Sequence, residues 1–258
     1  MIKVNGVVIE QNHFPDGTLL LNTGDIDFDK LVFIDWFYEN DAELFTIICL
    51  AKKAKQKVLT MPYCPHARQD RVKTDSDTFT LKYFAEVINW LNFDKVFILD
   101  PHSNVSAALL DRVFAVQPEE EIATVLNKIN EDVILFFPDE GSQKRYSDLF
   151  DLPYAYGLKR RDWKTGNILG LDVVDNGIDL KDKTILIIDD ICSKGGTFYH
   201  SAKKLKELGV GKIYLYVTHC ENTILEGEVL TSGLVERVFT TNSIFTKEHE
   251  KVEVINYE

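Results

Sequence analysis

Two carboxylates and a glycine turn stand between an apolar run and a candidate helix in T-I-L-I-I-D-D-I-C-S-K-G-G-T, Thr184 to Thr197. Ile185 to Ile188 read as a strand covered on both faces, the usual state of a strand in a parallel sheet. Asp189 and Asp190 then fall at its carboxyl end, where ligands of open α/β sheets bind. Gly195 and Gly196 allow successive backbone N–H groups to turn inward on a phosphate. Thr197 opens a helix whose N-terminal dipole adds to that attraction. The carboxylates suit ribose hydroxyls or a divalent metal, so the combination predicts a site for a phosphorylated sugar. An ordinary strand, turn and helix with a chance acidic pair would look alike over so short a stretch, and other segments must decide.

Three further strand ends carry chemistry. After Met61, P-Y-C-P-H-A-R-Q-D-R sets Arg68, Gln69, Asp70 and Arg71 in a loop stiffened by Pro62 and Pro65. The planar fork of arginine matches phosphate oxygens, and a stiff loop loses little entropy on binding, so the loop suits a polyphosphate. In V-F-I-L-D-P-H-S, Asp100 and His102 leave a strand together, and His102 is a candidate metal ligand or phosphate contact. In L-F-F-P-D-E-G-S-Q-K-R, Asp139, Gly141, Lys144 and Arg145 repeat the theme.

The elements that must position these residues are legible from periodicity. Strands are expected at Val4 to Ile9, Leu19 to Leu21, Leu31 to Ile34, Val58 to Met61, Val96 to Leu99 and Val133 to Phe137. Helices are expected after Asn40, where Glu43 suggests a capping box, and at Phe79 to Trp90 and Glu119 to Ile129. From Tyr154 the alternation resumes with a strand ending at Lys159, the strand at Ile185, a helix over Thr197 to Leu208 and a strand over Ile213 to Val217. Strand–helix alternation of this kind predicts an α/β fold of two similar halves, each a mostly parallel sheet flanked by helices. The expected division is 1–115 and 116–258, near Pro118.

Composition narrows the class. The 258 residues are 45% hydrophobic and 27% charged, as in a soluble globular protein with a sizeable core. A formal net charge of -12 argues against nucleic acid as a partner. No apolar run reaches membrane-spanning length and the N-terminus lacks a secretory signal, so the expected setting is the cytoplasm. Cys49, Cys64, Cys192 and Cys220 are scattered without a C-x-x-C pair and are read as reduced thiols.

Taken in order, these segments resemble those of the ribose-phosphate pyrophosphokinases, also called phosphoribosyl pyrophosphate synthetases, whose domains are phosphoribosyltransferase-like. Phe14 to Thr18 is similar to the family's F-x-D-G-E, Pro62 to Arg71 to P-Y-x-x-Y-A-R-Q-D-R, Asp100 to His102 to D-L-H, and Pro138 to Ser142 to P-D-x-G-G. Lys159 to Arg161 is similar to K-R-R at the root of a loop, and Asp189 to Thr197 to D-D-x-x-D-T-x-G-T. Thr218 with His219, and Thr241 to Ile244, also resemble family positions.

The resemblance implies transfer of diphosphate from ATP to the anomeric hydroxyl of a ribose phosphate, with Mg2+ as cofactor and a homo-oligomer, a dimer or larger, as the assembly. It implies that Phe14 and Asp16 help hold adenine, supplied to a neighbouring subunit, and that Arg68, Gln69 and Arg71 bind ATP. His102 and Asp139 would seat magnesium, Asp189 and Asp190 would bind the ribose hydroxyls, and Ser193, Lys194, Gly195, Gly196 and Thr197 would hold the 5-phosphate. Lys159 and Arg161, with His102, would carry catalysis by stabilising charge on the transferred diphosphate.

Four positions depart from the family pattern. Thr18 replaces Glu, His66 replaces Tyr, Ser142 replaces Gly, and Ser193-Lys194 replaces Asp-Thr. The last change shifts the sugar-phosphate loop by two charge units toward positive. Ribose 5-phosphate is the default acceptor; the added charge makes ADP-ribose, with its larger 5-substituent, the alternative. A catalytically silent regulatory homologue is a third reading, which the retention of Lys159, Arg161 and His102 disfavours.

Overall fold

A computed structural model describes the backbone of residues 1–161 and 168–257, and the side chains outside 159–171. The chain divides into two compact units, Met1–Gln117 and Pro118–Glu258. In the first, β1 (Ile2–Val4), β2 (Val7–Ile9), β3 (Gln11–His13), β4 (Leu19–Leu21) and β5 (Leu31–Trp36) precede α1 (Glu43–Lys53). Then come β6 (Gln56–Thr60), α2 (Thr80–Trp90), β7 (Lys95–Leu99), α3 (Asn104–Leu109) and β8 (Val113–Val116). Six strands form a sheet in the order β2-β1-β5-β6-β7-β8, parallel from β5 to β8, and β3 pairs with β4 in a separate hairpin. Val32, Ile34 and Trp36 alternate inward along β5, sharing a core with Ile47 and Leu50 of α1 and Leu81 and Phe84 of α2.

Two local expectations are corrected here. The run expected as one strand, Val4 to Ile9, is a hairpin, because Asn5 and Gly6 adopt φ of 50° and 79°, the left-handed pair of a tight two-residue turn. Asn5 also bonds Phe33 twice, through its own N–H and through Oδ1, which fixes the turn to β5. Asn40 and Glu43 form no capping box. Asn40 accepts from the Ala42 N–H, while Glu43 turns inward as a buried hub. Its carboxylate accepts from the Met1 ammonium at 2.8 Å, Trp36 Nε1 at 2.9 Å, the Glu39 N–H at 2.8 Å and Gln11 Nε2 at 3.3 Å.

In the second unit, α4 (Glu119–Ile129), β9 (Val133–Phe137), α5 (Glu140–Tyr146), β10 (Tyr154–Arg161) and β11 (Ile168–Val174) lead to β12 (Thr184–Cys192). They are followed by α6 (Gly196–Glu207), β13 (Ile213–Cys220), a 3-10 turn over Asn222–Glu226, α7 (Glu228–Thr231), β14 (Arg237–Thr241) and β15 (Val252–Ile255). The sheet order is β11-β10-β9-β12-β13-β14-β15, with β11 alone antiparallel to its neighbour. Both faces of β12 are covered: Ile185 and Ile187 pack with Phe198, Ala202 and Leu205 of α6, whereas Leu186 and Ile188 pack with Ile122 and Val125 of α4. β12 also runs past its apolar stretch. Asp189, Ile191 and Cys192 pair with Val217, His219 and Cys220, so the carboxylates lie within the strand's last turn of pleat and not beyond it. Backbone pairing with the eight-residue β13 extends the strand where hydropathy alone ends it. Among the described residues, no helix is long and apolar enough to cross a membrane.

Burial alone would raise the Glu43 carboxyl, but the Met1 ammonium, Trp36 and the Glu39 N–H together hold it below the usual range. A depressed carboxyl contributes stability above its unfolded value, and that contribution is lost as pH falls through the folded value. Glu43→Ala should cost about 2–4 kcal/mol in denaturant melts, since it orphans the buried Trp36 indole N–H and the part-buried Glu39 N–H. Glu43→Gln should flatten the acid limb of stability between about pH 5 and 3.

Candidate functional site

In the second unit the site grows from the ends of β9 and β12. Asp139 lies just after β9 and caps α5, its Oδ1 accepting from the Gly141 and Ser142 N–H groups at 3.0 and 3.1 Å. Ser142 Oγ in turn lies 3.3 Å from the Asp139 N–H, which completes a capping box. The serine that departs from the family glycine therefore has a structural role: it locks the loop that presents Asp139. On β12, Asp190 is almost wholly buried and its Oδ2 lies 3.3 Å from Arg145 Nη1. Burial, then the neighbouring Asp190 and Asp139 carboxylates, push the Asp189 carboxyl well above the usual range. Asp139 after β9 and Asp189 and Asp190 on β12 thus influence one another, with Arg145 against Asp190.

Past Cys192 the chain forms the glycine turn expected from the sequence. Gly195 sits at φ +76°, and a Cβ there would meet Val229 Cγ1 at 2.6 Å, so only glycine fits. The turn hands directly to α6, whose first residues Gly196 and Thr197 are exposed with their N–H groups at the helix head. Below it, the Lys194 carbonyl packs on Gly227, where a Cβ would fall 1.9 Å from that oxygen. Lys194 itself ion-pairs with Glu226 at 2.8 Å, both side chains about two-thirds exposed. The positive charge gained by the loop is therefore matched by a neighbouring carboxylate. Nothing in the sequence pattern points to Glu226 or Gly227, which end the 3-10 turn and follow it, brought over by β13.

In the first unit, the R-Q-D-R and D-P-H-S loops are joined through Asp70. This buried carboxylate accepts from Arg71 Nε at 2.7 Å and Nη2 at 3.1 Å, and from Ser103 Oγ at 2.7 Å. The Arg71 fork first, then Ser103, hold it below the usual range. Ser103 caps α3 at the same time. Arg68 is exposed, Gln69 accepts from Thr80 Oγ1 at 2.8 Å, and half-buried His102 stands one residue before Ser103. Arg71 is thus oriented by Asp70 with part of its fork still outward, and Asp70 and Ser103 are the supports that spacing alone did not single out.

Phe14 and Asp16 sit apart, on the tip of the β3–β4 hairpin. Asp16 accepts from the Thr18 hydroxyl at 2.7 Å and the Thr18 N–H at 3.0 Å, and Phe14 is 49% exposed. Thr18, where the family has Glu, is what folds this tip. Lys159 and Arg161 lie on β10, opposite Leu171 and Ile168 of β11, and their side chains are outside the described residues.

Two outcomes test this geometry. Gly227→Ala should destabilise the chain by about 2–4 kcal/mol and displace the 193–197 turn, whereas Gly196→Ala, with open space around it, should be near neutral. Because a raised carboxyl destabilises the fold once it ionises, Asp189→Asn should raise the melting midpoint at pH 7 by about 2–4 °C. That gain should shrink as pH falls and the wild-type carboxyl takes up its proton.

No protein-family model matches the chain. It is 28% identical over 251 residues to the ribose-phosphate pyrophosphokinase of Thermococcus kodakarensis, covering 92% of this chain and 86% of that protein. It is 27% identical over 264 residues to the ribose-phosphate pyrophosphokinase of Pyrococcus abyssi, covering 98% and 90%. A crystal structure of phosphoribosylpyrophosphate synthetase from Mycobacterium smegmatis superposes with a TM-score of 0.76 over 96% of this chain and 86% of that one, at 20% identity, so the fold is shared. With its similarity running almost end to end, the chain is a distant homologue of the ribose-phosphate pyrophosphokinases.

Proposed function

We propose that this protein transfers the diphosphate of ATP to the anomeric hydroxyl of ribose 5-phosphate, releasing AMP. The observation that carries the reading is the carboxylate pair at the end of β12, standing directly before a glycine turn at a helix head in a chain homologous to this family. Carboxylates accept hydrogen bonds from ribose hydroxyls, and the turn offers backbone N–H groups to a phosphate. Both features are needed by one ligand, a phosphorylated ribose.

Arg68, Gln69 and Arg71 bind ATP in this reading, with Asp70 holding the Arg71 fork flat for phosphate oxygens. Phe14, on an exposed hairpin tip, is suited to reach the adenine of a neighbouring copy, so the working form is a homo-oligomer. Lys159 and Arg161 spread positive charge over the diphosphate as it transfers, a role of electrostatics and positioning. No residue takes a covalent bond to the substrate.

The donor chemistry fits magnesium: hard carboxylate oxygens, with Asp189 and Asp139 close enough to raise one another's cost of ionising, a cost that a cation would relieve. No three His, Cys, Asp or Glu side chains converge on one point among the described residues, so His102 and Asp139 would hold the ion only together with polyphosphate oxygens and water. When bound, the ion supplies charge neutralisation on the polyphosphate. ADP-ribose loses its main support, because Glu226 already neutralises the Lys194 charge that favoured a larger 5-substituent.

The test is to incubate the protein with ATP, magnesium and either sugar, and to follow AMP by chromatography. AMP should form with ribose 5-phosphate and far less with ADP-ribose; no AMP with either would leave a silent homologue. Lys159→Ala should lower kcat by about 100-fold or more with little change in either KM, and an equal loss in kcat and affinity would point to a structural role.

A further inference from the structure

The loop after β6 carries Arg68 and Gln69 exposed between two anchors. Asp70 is the later one, tied to Ser103. The earlier one is His66, whose Nε2 lies 3.1 Å from Asp41 Oδ1 on the segment between β5 and α1. Its neighbours Cys64 and Ala67 are buried, and its ring lies 5.5 Å from that of buried Phe84 on α2. His66 adopts a φ of 62°, a left-handed conformation uncommon outside glycine. In this conformation the side chain reaches Asp41 while the carbonyl accepts from the Gln69 N–H at 2.9 Å, closing the turn that carries Arg68 and Gln69.

Asp41 is itself held. Tyr38 Oη donates to the same Oδ1 at 2.9 Å, and the Asp41 carbonyl accepts from the Leu44 N–H of α1 at 3.1 Å. Of the elements packed against the imidazole, the β5–α1 segment brings Asp41 and Tyr38, and α2 brings the uncharged Phe84. The loop itself adds Tyr63, whose ring lies 5.8 Å from that of Tyr38. Tyr38 stays protonated, because burial and then the Asp41 hydrogen bond push its hydroxyl up. Among these groups a histidine alone changes charge near neutrality, ordinarily at about pH 6.5. Charged, the imidazole gives Asp41 a charge-assisted hydrogen bond; neutral, an ordinary and weaker one. The tyrosine of the family pattern at this position offers Asp41 no positive charge at any pH.

We infer that His66 is a positioning residue for the nucleotide: on Asp41 its imidazolium steadies the turn that presents Arg68 and Gln69, so ATP binds more tightly on the acid side of neutrality. This rests on the reading of the R-Q-D-R loop as the ATP site. His66 acts through the turn and not on the sugar, so its loss should fall on ATP and spare ribose 5-phosphate. The pair is partly exposed, with side-chain exposures of 28% for His66 and 68% for Asp41, so the expected effect is modest.

The experiment is calorimetric titration of the full chain, with magnesium, by a non-hydrolysable ATP analogue and by ribose 5-phosphate, at about pH 6 and about pH 8. His66→Gln can give Asp41 a neutral N–H but no charge. It should bind the ATP analogue about threefold more weakly than wild type at the lower pH and within about 1.5-fold of it at the higher one. Ribose 5-phosphate should stay within about 1.5-fold throughout, and comparison at one pH cancels the ionisation of the nucleotide itself. Asp41→Asn should show the same pattern, and the double variant should lose no more than either single one. An unchanged ATP ratio at the lower pH, the same loss at both, or equal loss of sugar and nucleotide overturns the inference. Should His66→Gln not fold, His66→Tyr and Asp41→Asn decide by the same ratios. A wild-type protein that does not bind the ATP analogue sinks the proposed function and this inference together; one that binds it while the variants match it at both pH values sinks the inference alone.

Discussion

The second unit is organised around negative charge drawn out of water at the end of β12. Asp189 and Asp190 follow four isoleucine and leucine residues that need covering on both faces, so the sheet carries the pair to an edge where solvent is limited. Removing a carboxylate from water costs several kcal/mol, on the order of what a whole interface of contacts contributes, unless a partner meets it. The fold sets Arg145 3.3 Å from Asp190, while burial and the neighbouring Asp190 and Asp139 carboxylates push Asp189 well above the usual range. Hydroxyl donors and a divalent cation are the chemistry that relieves such a site. Stability has been spent on readiness to bind, as is usual at functional sites.

The first unit shows the same division in a different form. Asp70 is a buried carboxylate with every need met by the Arg71 fork and the Ser103 hydroxyl, and it ties two loops at the ends of β6 and β7 together. Glu43 does this for the start of the chain, gathering Met1, Gln11, Trp36 and Glu39 on one side chain. The anions at Asp70 and Glu43 are held below the usual range by their donors and fix loops, whereas the Asp189 carboxyl is pushed up by burial and by Asp190 and Asp139. The contrast between them separates scaffold from site more cleanly than residue type could, since all are acids in strands, loops or helix starts.

Much of this was legible in the residues. Strand β9 and helix α4 match their expected bounds, because their apolar runs are bracketed by Pro118, Asn130 and Pro138 and nothing competes with periodicity there. The D-D-I-C-S-K-G-G-T segment gave its strand, turn and helix start in plain order. What stayed hidden depends on partners distant in sequence. The Asn5-Gly6 hairpin is a local turn signal that a run of valines obscured. Glu43 looks like a capping residue until Trp36, seven positions earlier, turns it inward. The Lys194–Glu226 pair and the packing of Gly227 under Lys194 arise only once β13 returns beside β12. Charge counted along the chain gave the sugar-phosphate loop an excess that charge counted in space removes.

The most direct measurement follows the β-phosphorus of ATP. In a mixture of full chain, magnesium, ATP and ribose 5-phosphate, phosphorus NMR should show AMP appearing in step with a sugar diphosphate that carries both the β- and γ-phosphorus, with no free phosphate or diphosphate formed. Release of ADP and phosphate, or of AMP with free diphosphate and an unchanged sugar, would contradict transfer to the anomeric hydroxyl and leave this chain with only the family's fold.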